Sequence, residues 1–291
     1  MAQTKQQIQS LLTEAGAAPR HRLGQNFMID ANLVRIVAEA GMIAPGDLVI
    51  EVGPGTGTLT EELLRHAHVL AVEIDRALAD LLRTRFGSAE NFELIEGDAL
   101  AAKHALDDRL LDSIQRAKSA GRTVRLVSNL PYNIASPLLI ELLIAGVDVL
   151  ACTVQKEVAD RLRAAPNSPE YGTLSIMVQL LSRVEILRTL PPQAVWPSPK
   201  IHSALVRLTR ENRLGDRAAE LGQFVRRIFS ARRKTLRNAV ALVSDDAEKL
   251  LVSVGISPKD RPEALSPEDF LRLFIAAEEN GSRPPKSEAH R

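Results

Sequence analysis

The sequence predicts an α/β protein, a Rossmann-like and mostly parallel sheet with helices on both faces, followed by a small helical domain. Three observations carry this. Short apolar strands alternate with helical segments from about residue 48 to residue 164, the pattern of βαβ units. A glycine cluster, acids and an asparagine follow successive strands, on the carboxyl edge where open α/β sheets bind ligands. Beyond Glu211 the pattern turns helical, with charge of one sign.

The elements follow in order. Residues 1–18 read as a polar helix or a flexible arm. Asp30 caps a short helix over 31–40, closed by Gly41. Strand 48–52, helix 58–66, strand 69–73, helix 76–86 and strand 92–95 come next, then a variable charged insert at about 101–120. Strand 124–128, helix 136–145, strand 147–155 and helix 156–164 complete the alternation. The segments 174–190 and 202–209 read as the last two strands, joined by an irregular link that Pro191-Pro192 and Pro197-Ser198-Pro199 stiffen. The polar stretch 211–216 separates a Rossmann-like domain, 1–211, from a helical domain, 212–280; residues 281–291 read as a disordered tail.

Composition fits a globular intracellular enzyme: 291 residues, 45 % hydrophobic and 25 % charged, are enough for a large core and two domains. No apolar run approaches the ~18 residues of a membrane span. The start, MAQTKQQIQS, has no secretory pattern, so a cytoplasmic location is expected. The single cysteine, Cys152, lies in an apolar run and reads as a buried, inert thiol. His66 and His68 are neighbours without a Cys/His/acid cluster, and no metal site is expected.

The chemistry concentrates at four places. Val49 to Val52 runs into Gly53-Pro54-Gly55-Thr56-Gly57, a loop that can turn tightly and approach a ligand closely before a helix. Its spacing is G-x-G-x-G, unlike the fingerprint of dinucleotide folds. The second strand ends in Glu73-Ile74-Asp75, and an acid there suits a ribose diol; Glu73 is preferred because Asp75 also suits a helix N-cap. The third ends in Glu96-Gly97-Asp98, where Asp98 offers an acceptor for an exocyclic adenine amine. The fourth ends in Asn129-Leu130-Pro131-Tyr132: an amide oxygen, a stiffened turn and a flat aromatic face, the parts needed to hold a planar amine such as adenine.

Net charge is only +1, so a polyanion partner shows in its distribution. From Leu221 to Ser244 there is no acid, while Arg226, Arg227, Arg232, Arg233, Lys234 and Arg237 fall within 12 positions. Phe224, Val225, Ile228, Phe229, Leu236, Ala239 and Val240 recur at helical spacing, predicting a helix with one buried and one basic face suited to phosphate.

These motifs resemble the ribosomal RNA adenine dimethyltransferases. EVGPGTG, AVEID, the GD pair and NLPY stand in the order of that family, as do Gly24-Gln25-Asn26-Phe27 and Gln155-Lys156-Glu157-Val158. So do Tyr171-Gly172-Thr173-Leu174-Ser175, Pro199-Lys200 and the segment from Phe229 to Asn238. The resemblance covers roughly residues 20–270 and implies S-adenosylmethionine as cofactor and N6 of adenine as acceptor. It points to the small-subunit branch, which dimethylates two adjacent adenosines near the 3′ end of the rRNA in the immature subunit. It implies Asn129, Leu130, Pro131 and Tyr132 as the catalytic turn, and Asn26 and Met28 as cofactor contacts beside Gly53, Gly55, Glu73, Asp98 and Asn129. A monomer is expected. One position departs from the family pattern: Val195 stands where an aromatic is expected, with Trp196 beside it. A large-subunit rRNA methylase of the resistance type, a DNA adenine methylase (disfavoured by the lack of a separate target-recognition segment) and a non-catalytic nucleic-acid-binding assembly or transcription factor are the alternatives.

Overall fold

The computed structural model describes residues 3–211 and 214–280. Seven strands form the central sheet: β1 Leu48–Val52, β2 His68–Glu73, β3 Phe92–Glu96, β4 Val124–Asn129, β5 Val149–Gln155, β6 Ser182–Leu190 and β7 Ser203–Arg210. Their spatial order is β3-β2-β1-β4-β5-β7-β6. The first five run parallel, and β7 is antiparallel to β5. The chain starts at β1 in the middle and reverses direction there, so the carboxyl ends of β1 and β4 part at a topological switch point, the usual ligand crevice. Register brings Asn129 opposite Thr153 on β5 and Glu73 opposite Glu96 on β3.

The central strands are apolar on both faces because helices cover both. Val49, Val69, Val127, Ala151 and Leu205 pack in one cluster with Leu33, Val34 and Val37 of α2 (Ala31–Ala40) and Leu59 and Leu63 of α3 (Thr58–Leu63). Asp30 caps α2, its carboxylate accepting from Asn32 N and Leu33 N. Residues 5–14 form a helix, α1 (Lys5–Glu14), opened by a Thr4–Gln7 capping box. Ile8 and Leu12 are buried against Phe27 and Leu78, and each such burial stabilises by about 1.5–3 kcal/mol. The N-terminal segment is therefore docked helix rather than arm.

Two sequence expectations are corrected. The insert at 101–120 contains a helix, Asp108–Ser119, capped by Asp107; its buried residues Leu110, Ser113, Ile114 and Ala117 keep the spacing i, i+3, i+4 and i+7 of an amphipathic helix, a period that the reading as a charged insert passed over. The segment 174–190 is not one strand: Thr173–Leu181 is a helix and only Ser182–Leu190 is extended. That helix is buried nearly all round, and a continuous apolar run carries no period that separates helix from strand.

The chain forms two compact units. One comprises the residues up to Ala159 with Arg183–Arg210; the other comprises Asp160–Ser182 with the chain from Glu211 onward. The division thus differs from a single cut at 211, because the helix read as strand groups with the helical unit. Within that unit Tyr171 donates its hydroxyl to Leu265 O at 2.7 Å. Aromatic pairs Tyr171–Phe229, Phe224–Phe274 and Phe229–Phe270 build its core. The tail at 281–291, read as disordered, lies outside the described residues.

Candidate active site

At the carboxyl edge the glycine loop meets two other segments at contact distance. Gly53 has φ +71, and a Cβ there would stand 2.9 Å from Cγ of Pro131. Gly55 has φ +62, and a Cβ there would stand 2.8 Å from Cε1 of Phe27. Only glycine adopts these angles freely and permits the approach. The loop, the Gly24–Met28 segment and the NLPY turn thus enclose one cleft of about 850 Å³, its open mouth included, within the ~300–1,000 Å³ of small-molecule sites.

Glu73 closes β2 and lines the cleft, 3 % exposed. Its Oε2 accepts from Gly55 N at 3.1 Å and its Oε1 from Asp75 N at 2.9 Å. Burial pushes its carboxyl up to about 7, against the pull of those N–H donors. Asp75 instead caps the next helix, Arg76–Phe86, accepting from Ala77 N, and pairs with Arg20 at 3.1 Å. Of the two acids the sequence offered, Glu73 is the one that borders the cleft. Asp98 lines it from the end of β3, one oxygen accepting from Leu100 N at 3.0 Å. Sequence reasoning left Glu51 unassigned. It lies in β1, lines the cleft, and accepts from Thr60 Oγ1 at 2.6 Å, while burial pushes it up to about 8.

Asn129, at the end of β4, donates from Nδ2 to the Asn26 carbonyl, and its Oδ1 accepts from the Thr153 hydroxyl. Leu130 buries its side chain to 1 % exposure, so what it offers is main chain. Pro131 lies against Gly53 and lines the cleft. Tyr132 does not border the cleft; its hydroxyl bonds Ser203 Oγ of β7 at 2.6 Å, and burial raises its pKa. Asn26 and Met28 line the cleft, the first also donating to Gly24 O at 3.1 Å. Thr153 and Ser203 were missed by sequence reasoning, because lone hydroxyls on apolar strands carry no motif.

The lining residues include three carboxyls, Glu51, Glu73 and Asp98, and no Lys, Arg or His. With oxygen acceptors for a ribose diol and an adenine amine and no basic side chain to meet a pyrophosphate, the lining suits a nucleoside such as S-adenosylmethionine rather than a dinucleotide; Glu51 and Glu73, raised by burial, serve as hydrogen-bonding groups more than as fixed charges. Ile74, 48 % exposed, gives an apolar face at the same edge. Thr58 Oγ1 is buried in the lining with no hydrogen-bond partner, a capacity that a bound ligand or its water can fill. Val195 is buried in the core, and Trp196 packs on Phe27 with centroids 6.3 Å apart and with Lys5 over its ring. Among the described residues no group of three or more His, Cys, Asp or Glu is placed to hold a metal, and no helix is long and apolar enough to cross a membrane.

In the helical unit the basic segment is two helices, Ala218–Ser230 and Leu236–Val240, joined by turns, rather than one. The apolar positions Phe224, Val225, Ile228, Leu236, Ala239 and Val240 are buried as their spacing predicts. The charges are less one-sided than the segment suggests. Arg232 pairs with Glu263 at 2.7 Å and Arg237 with Glu248 at 3.5 Å, acids supplied from further along the chain. Arg227 donates to Leu242 O at 3.2 Å, and Arg226 is half-buried. Arg233 and Lys234 are exposed and carry no ion pair among the described residues.

The sheet order and the acid-lined cleft at its switch point define a Rossmann-like, S-adenosylmethionine-dependent methyltransferase. Residues 16–279 match the family described as ribosomal RNA adenine dimethylase, and the chain belongs to that family. Relatives include ribosomal RNA small subunit methyltransferase A of Moorella thermoacetica, 38 % identical, with 91 % of this chain and 94 % of the relative covered. The protein of the same description from Chromobacterium violaceum is 39 % identical, with coverages of 91 % and 98 %. Among solved structures, the 23S rRNA methyltransferase ErmE is 25 % identical with a TM-score of 0.58, covering 87 % of this chain and 100 % of its own. A dimethyladenosine transferase from Plasmodium falciparum shares the fold, with a TM-score of 0.64, 23 % identity and coverages of 88 % and 98 %.

Proposed function

We propose that this protein transfers methyl groups from S-adenosylmethionine to N6 of two adjacent adenosines near the 3′ end of small-subunit ribosomal RNA. The observation that carries this reading is a cleft lined by Glu51, Glu73 and Asp98, with no basic residue, beside the NLPY turn. The 38–39 % identity to small-subunit methyltransferases favours that substrate over large-subunit RNA.

When bound, S-adenosylmethionine supplies an electrophilic methyl group. Glu73 takes the ribose diol with the oxygen capacity left beside its two backbone donors, Asp98 the adenine amine, and Gly53 and Gly55 the close backbone approach. Asn26 and Met28 complete the lining. The acceptor amine is a weak nucleophile because its lone pair is delocalised into the ring. Asn129 Oδ1 and the Leu130 carbonyl accept its two N–H bonds and favour a pyramidal nitrogen, which is positional and electrostatic catalysis. Pro131 fixes the spacing of those acceptors. Tyr132 supplies a stacking face for the extruded base, offsetting an extrusion cost of a few kcal/mol with about 1–3 kcal/mol. The proton leaves after attack, so no general base is required before it.

Arg226, Arg227, Arg232, Arg233, Lys234 and Arg237 contact RNA phosphate in this reading, Arg233 and Lys234 foremost because no acid among the described residues pairs with them. The protein acts as a monomer in the cytoplasm, where the small subunit is assembled. The test is mass mapping of adenosines in the RNA of small- and large-subunit particles from cells lacking the gene, before and after incubation with the purified protein and S-adenosylmethionine. Two adjacent N6-dimethyladenosines near the 3′ end are expected. Modification only in large-subunit RNA, or none, would overturn the assignment.

A further inference from the structure

The Asn129 amide is held at both ends, and its partners fix which end is which. The Asn26 main-chain carbonyl can only accept, so the Asn129 atom facing it is Nδ2. The other atom is then Oδ1, and the hydroxyl facing it, Thr153 Oγ1, must donate. Amide orientation is ordinarily a choice between near-identical atoms; here the chemistry of the neighbours decides it. Thr153 lies on β5 directly opposite Asn129 and is 1 % exposed. Its hydroxyl occupies one lone pair of Oδ1 and leaves the second for a ligand donor.

We propose that Thr153 is a positioning residue for methyl transfer: its hydroxyl locks the Asn129 amide so that the remaining Oδ1 lone pair awaits the adenine amine. The terminal torsion of asparagine is broad and nearly two-fold. Turning the amide to present its NH₂ to the target NH₂, donor against donor, breaks the bond to the Asn26 carbonyl alone when the Thr153 hydroxyl is absent, and breaks two bonds when it is present. Thr153 adds a second, directional hold from a buried and rigid strand. The inference rests on the reading of Asn129 as the amine acceptor.

The experiment uses the full chain and measures single-turnover methylation of a small-subunit particle with S-adenosylmethionine. Thr153→Val removes the hydroxyl at nearly constant shape. The saturating rate is expected to fall roughly three- to tenfold, the size of one neutral hydrogen bond, with cofactor and particle affinities within about twofold of wild type. Thr153→Ser should restore the rate. In an Asn129→Ala background Thr153→Val should add nothing, a coupling that a purely structural role would not produce. If Thr153→Val folds poorly, Thr153→Ser against Thr153→Ala isolates the hydroxyl in the same way. A wild-type rate in folded Thr153→Val, equal rates for Ser and Ala, or the same loss in the Asn129→Ala background would overturn the proposal. A wild-type rate in Asn129→Ala itself would show that the acceptor reading has failed, and the Thr153 role would fall with it.

Discussion

Replacing Gly53 by alanine should slow chemistry out of proportion to its effect on stability. Two costs arise. Gly53 has φ +71, where a residue with a Cβ costs about 1–2 kcal/mol. The added Cβ would also stand 2.9 Å from Pro131 Cγ. An ordinary carbon contact is about 3.5 Å, so the NLPY turn must retreat by roughly 0.6 Å. Displacement of about 1 Å can cost about a hundredfold in rate, so we expect roughly a ten- to hundredfold fall in single-turnover rate. Gly46→Ala is the control: Gly46 has φ +91, but a methyl group there would meet nothing within 4 Å. Gly46→Ala should lose about 1–2 kcal/mol in denaturant unfolding and Gly53→Ala that much plus the cost of the contact, while only Gly53→Ala should lose rate. Equal rates in the two would refute contact between loop and turn as the positioning device.

Three further outcomes are expected. Tyr132→Phe removes the bond to Ser203 Oγ and should cost about 0.5–1.5 kcal/mol of stability with a small rate effect, whereas Tyr132→Ala should abolish turnover; equal rates for Phe and Ala would dismiss stacking. The ligand-free protein should become less stable as pH rises. Glu51, pushed up to about 8, and Glu73, to about 7, both stand above the ordinary 4.5. Their contribution is full below pH 4.5 and is lost as pH climbs through 7 to 8; melting curves should show that fall and Glu51→Gln should flatten it, an unchanged slope counting against the buried carboxyls. Arg233→Ala with Lys234→Ala should weaken RNA binding and lower its salt slope by roughly one per lost phosphate contact, with cofactor affinity unchanged; an unaltered slope would remove this turn from the RNA surface.

The sheet was legible in the sequence because its strands and helices keep distinct periods and its turns carry glycine. The cleft was legible for the same reason: Glu73 and Asn129 close a strand, Gly53, Gly55 and Asp98 follow one, and strand ends converge on one edge. What escaped was set by other kinds of contact. The helix Thr173–Leu181 is buried nearly all round and so has no polar face to mark its period. The helix Asp108–Ser119 was legible, since Leu110, Ser113, Ile114 and Ala117 recur at helical spacing, but the density of charge around them made the segment read as an insert. Glu263 and Glu248 neutralise Arg232 and Arg237 across 31 and 11 positions of chain, which a local reading of charge cannot register. Thr153 and Ser203 matter through register and hydrogen-bond direction, properties of the folded sheet rather than of any motif.

The central claim is that Asn129 orients the adenine amine for attack rather than holding the RNA. Single-turnover methylation of a small-subunit particle by Asn129→Ala, with particle affinity measured on the same preparation, tests it directly. Removing one preorganised polar partner costs about 10²–10³ in rate, so a fall of that order is expected with particle affinity nearly unchanged. A wild-type rate in the folded variant would contradict the claim and leave the NLPY turn a structural feature.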